Sequence, residues 1–286
     1  MILVTGATGQ LGRAIIQQLL RRTTPHQIAV FVRDAEKTVD WRERGVDIRV
    51  GDYDNTAALD TAMRGIEKVL LIAGTNEEQR VQQHRRVVNA ANQVGVHCIA
   101  YTSRTLKDRT TMANKLMEGH FQTEDYIKAS GMAYAIFRNV LYMDSILLYV
   151  GDRGLATGIH LPAGHGKVAY ALRSDMGEAI ANWLVAGKCD NQVYKLTGSA
   201  AYSFDDIAAM LTDLTGKKVT YTAIENAAFA AHMQARGVPE MMVQRMFGFM
   251  TDIKNGQEEE VSSDLEQLLG HKPTSLRDGL KTLFKI

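Results

Sequence analysis

Eight residues near the start of the chain, Thr5-Gly6-Ala7-Thr8-Gly9-Gln10-Leu11-Gly12, restrict what the chain can fold into more than any other stretch. Before them, Ile2–Val4 is a short apolar run that reads as a strand; after them, Leu11–Arg21 repeats its apolar residues at helical spacing. A loop joining such a strand to such a helix must turn tightly, bring backbone close to a ligand, and let the helix pack against the sheet. Glycines at 6, 9 and 12 meet one need each. The helix N-terminus adds free N–H groups and positive potential, which suit a pyrophosphate. A glycine triplet gains its meaning from this position at the first β–α turn, where it predicts dinucleotide binding through Gly6, Ala7, Thr8, Gly9, Gln10 and Leu11. A tight turn without a ligand is the competing reading.

The alternation continues. Ile28–Val32, Asp47–Val50, Lys68–Ile72, His97–Thr102 and Ala133–Phe137 read as further strands, several apolar almost throughout, as in a parallel sheet covered on both faces. Arg80–Val94 is a clear helix that stops at Gly95. Strands alternating with helices predict the α/β class, a doubly wound parallel sheet. Past residue 147 the rhythm breaks: Gly151, Gly154, Gly158, Gly164 and Gly166 surround Pro162 in a connection that leaves the sheet. Arg173–Ala186 then reads as a helix, Gln192–Thr197 as a strand returning to the sheet, and Ser203 as the cap of a helix whose first turn carries Asp205 and Asp206. The expected division is 1–147 as the dinucleotide-binding domain, joined by 173–197. Residues 148–172 and 198–286 form a small, mostly helical substrate-binding subdomain.

A net charge of +1 over 286 residues argues against a general nucleic-acid or membrane-surface role. No apolar run approaches the roughly 20 residues of a membrane helix, and no secretion signal is visible. Cys98 and Cys189 have no metal-binding spacing and read as reduced, buried residues of a cytoplasmic protein.

The end of the second strand bears on cofactor choice. An acid there favours the ribose hydroxyls of NAD, but this chain has Arg33 followed by Asp34. A guanidinium suits a 2′-phosphate, so NADPH is expected over NADH, with Arg13 able to add charge nearby. The bland alternative is a surface Arg33 paired with Asp34 or Glu36. Asp52, after the third strand, is placed to accept the adenine amino group, or simply to form the turn before Asn55. Ile72 through Asn76 should run beside the ribose, at the carboxyl end of the fourth strand.

These stretches, with QQHRRVVNAANQVGV, AYTS, FRNVLYMDS, VYKLTG and SFDDIAAMLTDLTGKKV in order behind them, resemble the atypical short-chain dehydrogenase/reductases of the NmrA-like group, in particular its bacterial quinone-reductase and triphenylmethane-dye-reductase branch. The likeness covers almost the whole chain. It implies a Rossmann domain, a small C-terminal domain and a substrate cleft between them. It also implies cofactor contacts from Gly6 through Leu11, Arg33, Thr75, Asn76 and the segment after Asn139, which includes Tyr142, Met143 and Asp144.

One departure from ordinary short-chain dehydrogenases matters. None of the 10 tyrosines is followed by lysine four places on, so the pair that lowers a tyrosine pKa for proton exchange is missing. His120 falls where isoflavone-reductase-like relatives carry a lysine. A quinone or a conjugated cationic dye accepts hydride without a strong protein acid, so the protein's task is to position the reactants and exclude water. The expected function is an NADPH-dependent reductase acting on such a planar aromatic acceptor. His120, Asn139 and Tyr142 are its candidate catalytic residues, and Ser103 lies near the hydride position. His120 is read either as a ribose contact or proton source near neutral pH, or as a solvent-facing helix residue. Glu124 either orients it or caps Lys128. His84 reads as solvated. The Met241, Met242, Met246, Phe247, Phe249 and Met250 cluster reads as core or a homodimer face, with a wall of the acceptor pocket as the functional alternative. The rival function is a cofactor-sensing regulator that binds the dinucleotide without turnover.

Overall fold

The computed structural model describes every residue from 1 to 286 except Thr75 and Arg236, with the side chains of Asp152 and Arg153 also outside the description. Nine strands occur among the described residues: β1 (Ile2–Thr5), β2 (Ile28–Val32), β3 (Asp47–Val50), β4 (Lys68–Leu71), β5 (Cys98–Arg104), β6 (Ala133–Asn139), β7 (Ile159–Leu161), β8 (Gln192–Leu196) and β9 (Tyr221–Ala223). Seven of them form one sheet in the order β3-β2-β1-β4-β5-β6-β8, with every pairing parallel. This is the doubly wound Rossmann order with one strand added at the edge. The strand expected at Gln192–Thr197 supplies that edge. β7 and β9 pair separately, also in parallel, within the stretches read as an irregular connection and a helical remainder.

Helices cover both faces. The first, α1 (Gln10–Arg22), follows the glycine turn, and α2 (Val39–Glu43), α3 (Thr56–Met63), α4 (Arg80–Gln93) and α5 (Glu118–Ala129) follow in the first half. Next come α6 (Ile146–Tyr149), α7 (Gly151–Thr157), α8 (Arg173–Ala186) and α9 (Phe204–Thr215). The chain closes with α10 (Asn226–Gln234), α11 (Glu240–Lys254), α12 (Asp264–Leu269) and α13 (Leu276–Phe284). None of the described helices is long and apolar enough to cross a membrane.

Period-2 alternation sorts each strand between two cores. Cys98 and Ala100 of β5 join the face packed by α1, α8 and the second half of the chain, whereas Ile99 and Tyr101 join the face under α3, α4 and α5. The first core runs without a break from Val4 and Ile15 to Phe204, Leu211 and Leu280. The second half of the chain is therefore built onto one face of the sheet. Ser203 caps α9 as expected, in a reciprocal capping box with Asp206.

The cysteines require a correction. A disulfide joins Cys98 to Cys189, with their Cα atoms 6.1 Å apart. Residues 91 apart in sequence meet because Lys68, the register partner of Cys98, donates to the carbonyls of Leu184 and Gly187. That anchor folds the end of α8 back beneath the start of β4 and β5. No spacing rule reports such a contact.

The α1–α8 contact depends on small side chains. A methyl group at Gly177 would lie 2.7 Å from the Ala14 Cβ, closer than packed carbons tolerate. Gly177→Ala is expected to lower the unfolding free energy by about 1–3 kcal/mol, read as a lower urea midpoint with unchanged slope. An unchanged midpoint would show that the two helices separate freely.

Candidate functional site

The carboxyl ends of β1, β2, β3 and β4 open into a cavity of about 670 Å³. Its floor is the glycine turn. Gly6 sits at φ +62°, a conformation that favours glycine, and a Cβ on Gly12 would fall 2.5 Å from the Gly6 carbonyl oxygen. Gly12 thus lets α1 start against the turn itself. Among the described residues no side chain caps α1, and no acid occupies its first turn, so the N–H groups and positive end of the helix face the cavity unneutralised.

Of the residues expected to meet the cofactor, Gly6, Thr8, Gly9, Gln10, Leu11, Arg33, Asp52, Asn76 and Tyr142 line this cavity. Ala7 does not: it is fully buried in the core behind the turn. Thr75 lies outside the described residues. Asp52 also plays the turn role, accepting from the Asp54 N–H at 2.9 Å. Asn76 closes a local loop with Gln79 just before α4.

Arg33 lines the cavity, and among the described residues no carboxylate pairs with it. Of the partners named by the bland reading, Asp34 is engaged elsewhere: it accepts from the Glu36 N–H and faces Lys37. Arg13 donates to the carbonyls of Thr8 and Lys37 and lies 5.3 Å from the Trp41 ring. It is thereby held beside the turn. Tyr53, Gln83 and Arg173 also line the cavity and were missed by sequence reasoning. Arg173 carried a signal, since it opens a predicted helix, but its position over the Tyr142 ring, at 4.4 Å, depends on the fold.

Three other expected contacts, Met143, Asp144 and Ser103, turn away from the cavity. Met143 is buried, and a Cβ on Gly279 would collide with its sulfur. Asp144 accepts the Arg173 N–H and pairs with its guanidinium. Ser103 donates to Glu124 at 2.5 Å on the α5 face of the sheet. Asn139, at the tip of β6, donates to the Tyr142 hydroxyl at 3.3 Å and leaves its buried Oδ1 without a partner among the described residues. Burial pushes the Tyr142 phenol up, so it stays protonated.

The histidines need two further corrections. His84 is completely buried, not solvated. Its Nε2 accepts the Gly74 N–H at 3.1 Å and its Nδ1 lies 2.9 Å from the Thr123 hydroxyl. Burial, and then the charge of Arg80, holds its pKa near 3. The signal was present: Arg80, His84, Val87, Val88 and Ala91 form the buried stripe of α4, and helical spacing places His84 on it. His120 is 9% exposed and lies 3.0 Å, through Nδ1, from the Tyr101 hydroxyl. Burial first, then Arg80, holds it well below the ordinary histidine range. It is a neutral imidazole near pH 7, not an imidazolium proton source. Glu124 is likewise buried and makes a two-point pair with Arg138.

The Met-rich cluster divides along α11. Met250 is in the core, Phe247 packs on Phe229 with ring centroids 5.6 Å apart, and Met241 and Met242 are exposed. A smaller cavity of about 350 Å³ lies between Met241, Arg245, Leu116 and Asn76.

The NmrA-like family matches residues 1–283 of the chain. The chain belongs to the NmrA-like family. Among relatives in this family, Escherichia coli (strain K12) quinone oxidoreductase 2 is 35% identical, the match covering 100% of this chain and 99% of the relative. The NAD(P)H azoreductase of Xenophilus azovorans is 28% identical over 86% of this chain and 85% of its own length. The structure of the E. coli NADPH-dependent quinone oxidoreductase complexed with NADPH superposes with TM-score 0.93, at 35% identity, covering 99% of this chain and 100% of that one. Citrobacter sp. triphenylmethane reductase complexed with NADP(H) gives TM-score 0.91, at 32% identity, covering 99% of each chain.

The buried histidine of this NmrA-like chain has a pH signature. Unfolded histidine takes a proton near pH 6.5, whereas folded His84 takes one only near pH 3. Between these values the unfolded chain binds more protons, so stability falls as pH drops through about 6.5 toward 3. His120 acts in the same sense. His84→Gln is expected to flatten this loss when urea unfolding is compared at about pH 7 and 4.5. An identical profile in the variant would mean that His84 is not held neutral.

Proposed function

We propose that this chain is an NADPH-dependent reductase that passes hydride to a planar, electron-poor aromatic acceptor, a quinone first and a triphenylmethane-type dye second. The observation that carries the reading is the cavity at the strand ends, with a helix N-terminus at its floor and Arg33 in its wall, the first uncapped and the second unpaired among the described residues. The identity to relatives named as quinone oxidoreductase and azoreductase supports it.

The residues present fit the cofactor. Gly6 through Leu11 and the N–H groups of α1 would hold the pyrophosphate, and Arg33 the 2′-phosphate, with Arg13 adding positive potential. Asp52 would meet the adenine, and Asn76 and Tyr142 the nicotinamide half. Bound there, NADPH supplies a hydride. The protein's own residues supply position and dryness. Tyr142 keeps its ring under Arg173, accepts from Asn139, and so retains its phenolic hydrogen for an acceptor oxygen. Asn139 offers an unused Oδ1, and His120 a neutral ring. Residues 148–172 and 198–286, which include α11, would form the acceptor wall, and the exposed methionines of α11 suit flat aromatic molecules. None of this needs a lysine-activated tyrosine, because charge on a reduced quinone or dye is delocalised.

Two measurements test the reading. NADPH oxidation should follow addition of benzoquinones, naphthoquinones or triphenylmethane dyes. Silence across that panel with tight NADPH binding would instead favour the cofactor-sensing reading, to which the missing Tyr-x-x-x-Lys pair also points. Arg33→Asp should lower the ratio of NADPH to NADH affinity by about ten- to a hundredfold; an unchanged ratio would overturn the assignment of the 2′-phosphate.

A further inference from the structure

The tips of β5 and β6 present two side chains on the same face of the sheet. Arg104 and Asn139 are register partners, buried to 9% and 4% exposure. Each keeps a polar atom, Arg104 Nε and Asn139 Oδ1, that finds no partner among the described residues. The other end of the guanidinium binds Glu258, a fully buried carboxylate from the segment after α11, and the Phe249 ring lies 5.1 Å away. A buried ion pair of this kind is a weak source of stability, because desolvation offsets most of the attraction. A donor and an acceptor left open side by side, next to Tyr142, point to a third group that uses them.

Charge has a direction here. The positive end of the pair acts on His120 and Tyr142, where Arg104 opposes protonated imidazole and favours phenolate. At Tyr149 and Tyr170 both ends of the pair act, Glu258 opposing phenolate and Arg104 favouring it. A second cation reinforces this. Arg80, 4% exposed, donates to the carbonyls of Gly74 and Leu116, and no carboxylate lies within ion-pair distance of it among the described residues. The surroundings of His120 and Tyr142 are thus electropositive and poorly hydrated.

We propose that Arg104 is an acceptor-binding, specificity-determining residue that receives the oxygen of a neutral quinone beside Asn139 and Tyr142 and disfavours cationic acceptors. The assignment rests on the reductase reading and narrows its substrate class. In quinone reduction the C4–H bond of the dihydronicotinamide breaks, and the hydrogen with its electron pair passes to the quinone. The quinone becomes a hydroquinone monoanion, NADP⁺ is left, and one proton from water completes the hydroquinone. Negative charge therefore grows on an acceptor oxygen, where a preorganised guanidinium in a dry site stabilises it most. A triphenylmethane cation loses its charge in the same transfer. Before the transfer it would sit beside Arg104 at low dielectric, with Arg80 adding positive potential at His120, which weakens its binding.

The test compares the wild type with Arg104→Met/Glu258→Gln, which removes both charges without stranding a buried carboxylate, and with Arg104→Lys, which keeps the cation. Turnover of 1,4-naphthoquinone and of malachite green, NADPH affinity, and binding of 4-nitrophenol to the NADP⁺ complex are measured for each. The double variant should lose about a hundredfold in kcat/KM for the quinone, lose nothing for the dye, and bind NADPH as before. It should also bind 4-nitrophenolate more weakly, with Arg104→Lys recovering part of each loss. Equal losses on both acceptors, or unchanged quinone turnover and nitrophenolate binding, would overturn the role of Arg104 and leave the reductase reading standing. Wild type that turns over neither acceptor, yet binds nitrophenolate in an Arg104-dependent way, would overturn the reductase reading and keep Arg104 as the oxygen-binding group.

Discussion

The start of α1 lies so close to the glycine turn that position 12 has no room for a single methyl group: its Cβ would be 2.5 Å from one carbonyl oxygen and 2.6 Å from the next. That crowding draws the helix axis onto the end of β1 and aims its first N–H groups into the space above the sheet. It also fixes the lateral position of α1, against which α8 packs through Gly177 and Ala14. Because α8 leads into β8, the edge strand and the loop carrying Cys189 take their places from the same contact. A small-residue constraint at the turn therefore shapes both the cavity and the far side of the fold.

Around that cavity the chemistry is set by unneutralised positive charge and by groups kept neutral. The helix end, Arg33 and Arg80 have no acidic partner in ion-pair range among the described residues. The cations with buried or half-buried partners, Arg104, Arg138 and Arg173, are locked to Glu258, Glu124 and Asp144. His84, His120, Tyr101 and Tyr142 are all pushed toward their uncharged forms, burial being the largest cause in each case. Such a site binds phosphates well and offers weak acids only. It suits hydride transfer to an acceptor that tolerates delayed protonation.

Much of this was legible in the residues. The β-branched runs gave the seven strands of the main sheet to within two residues at each end, though not β7 or β9, and helix α8 was bounded correctly as Arg173–Ala186. Short local signals sufficed there because helix and strand periods and caps act over a few residues. What escaped was tertiary. Met143 and Asp144 follow Asn139 as a cofactor-contacting segment should, but α13 and the N-terminus of α8 claim their side chains. The Cys98–Cys189 pairing depends on Lys68 anchoring the end of α8. His84 could have been found, since it falls on the apolar stripe of α4, but a polar residue on such a stripe does not name its partner. Arg104 and Glu258 meet only because the segment after α11 returns to the tip of β5.

In this site hydride leaves the cofactor without a protein acid assisting in the same step. Anaerobic single-turnover oxidation of NADPH by a quinone, using cofactor deuterated at the transferred position and repeated in D₂O, tests it most directly. The expected result is a primary isotope effect from the cofactor, no solvent isotope effect, and a rate that is flat between about pH 6 and 8, because His120 and Tyr142 do not change charge there. A large solvent isotope effect, or a rate that follows the ionisation of one group in that range, would contradict it.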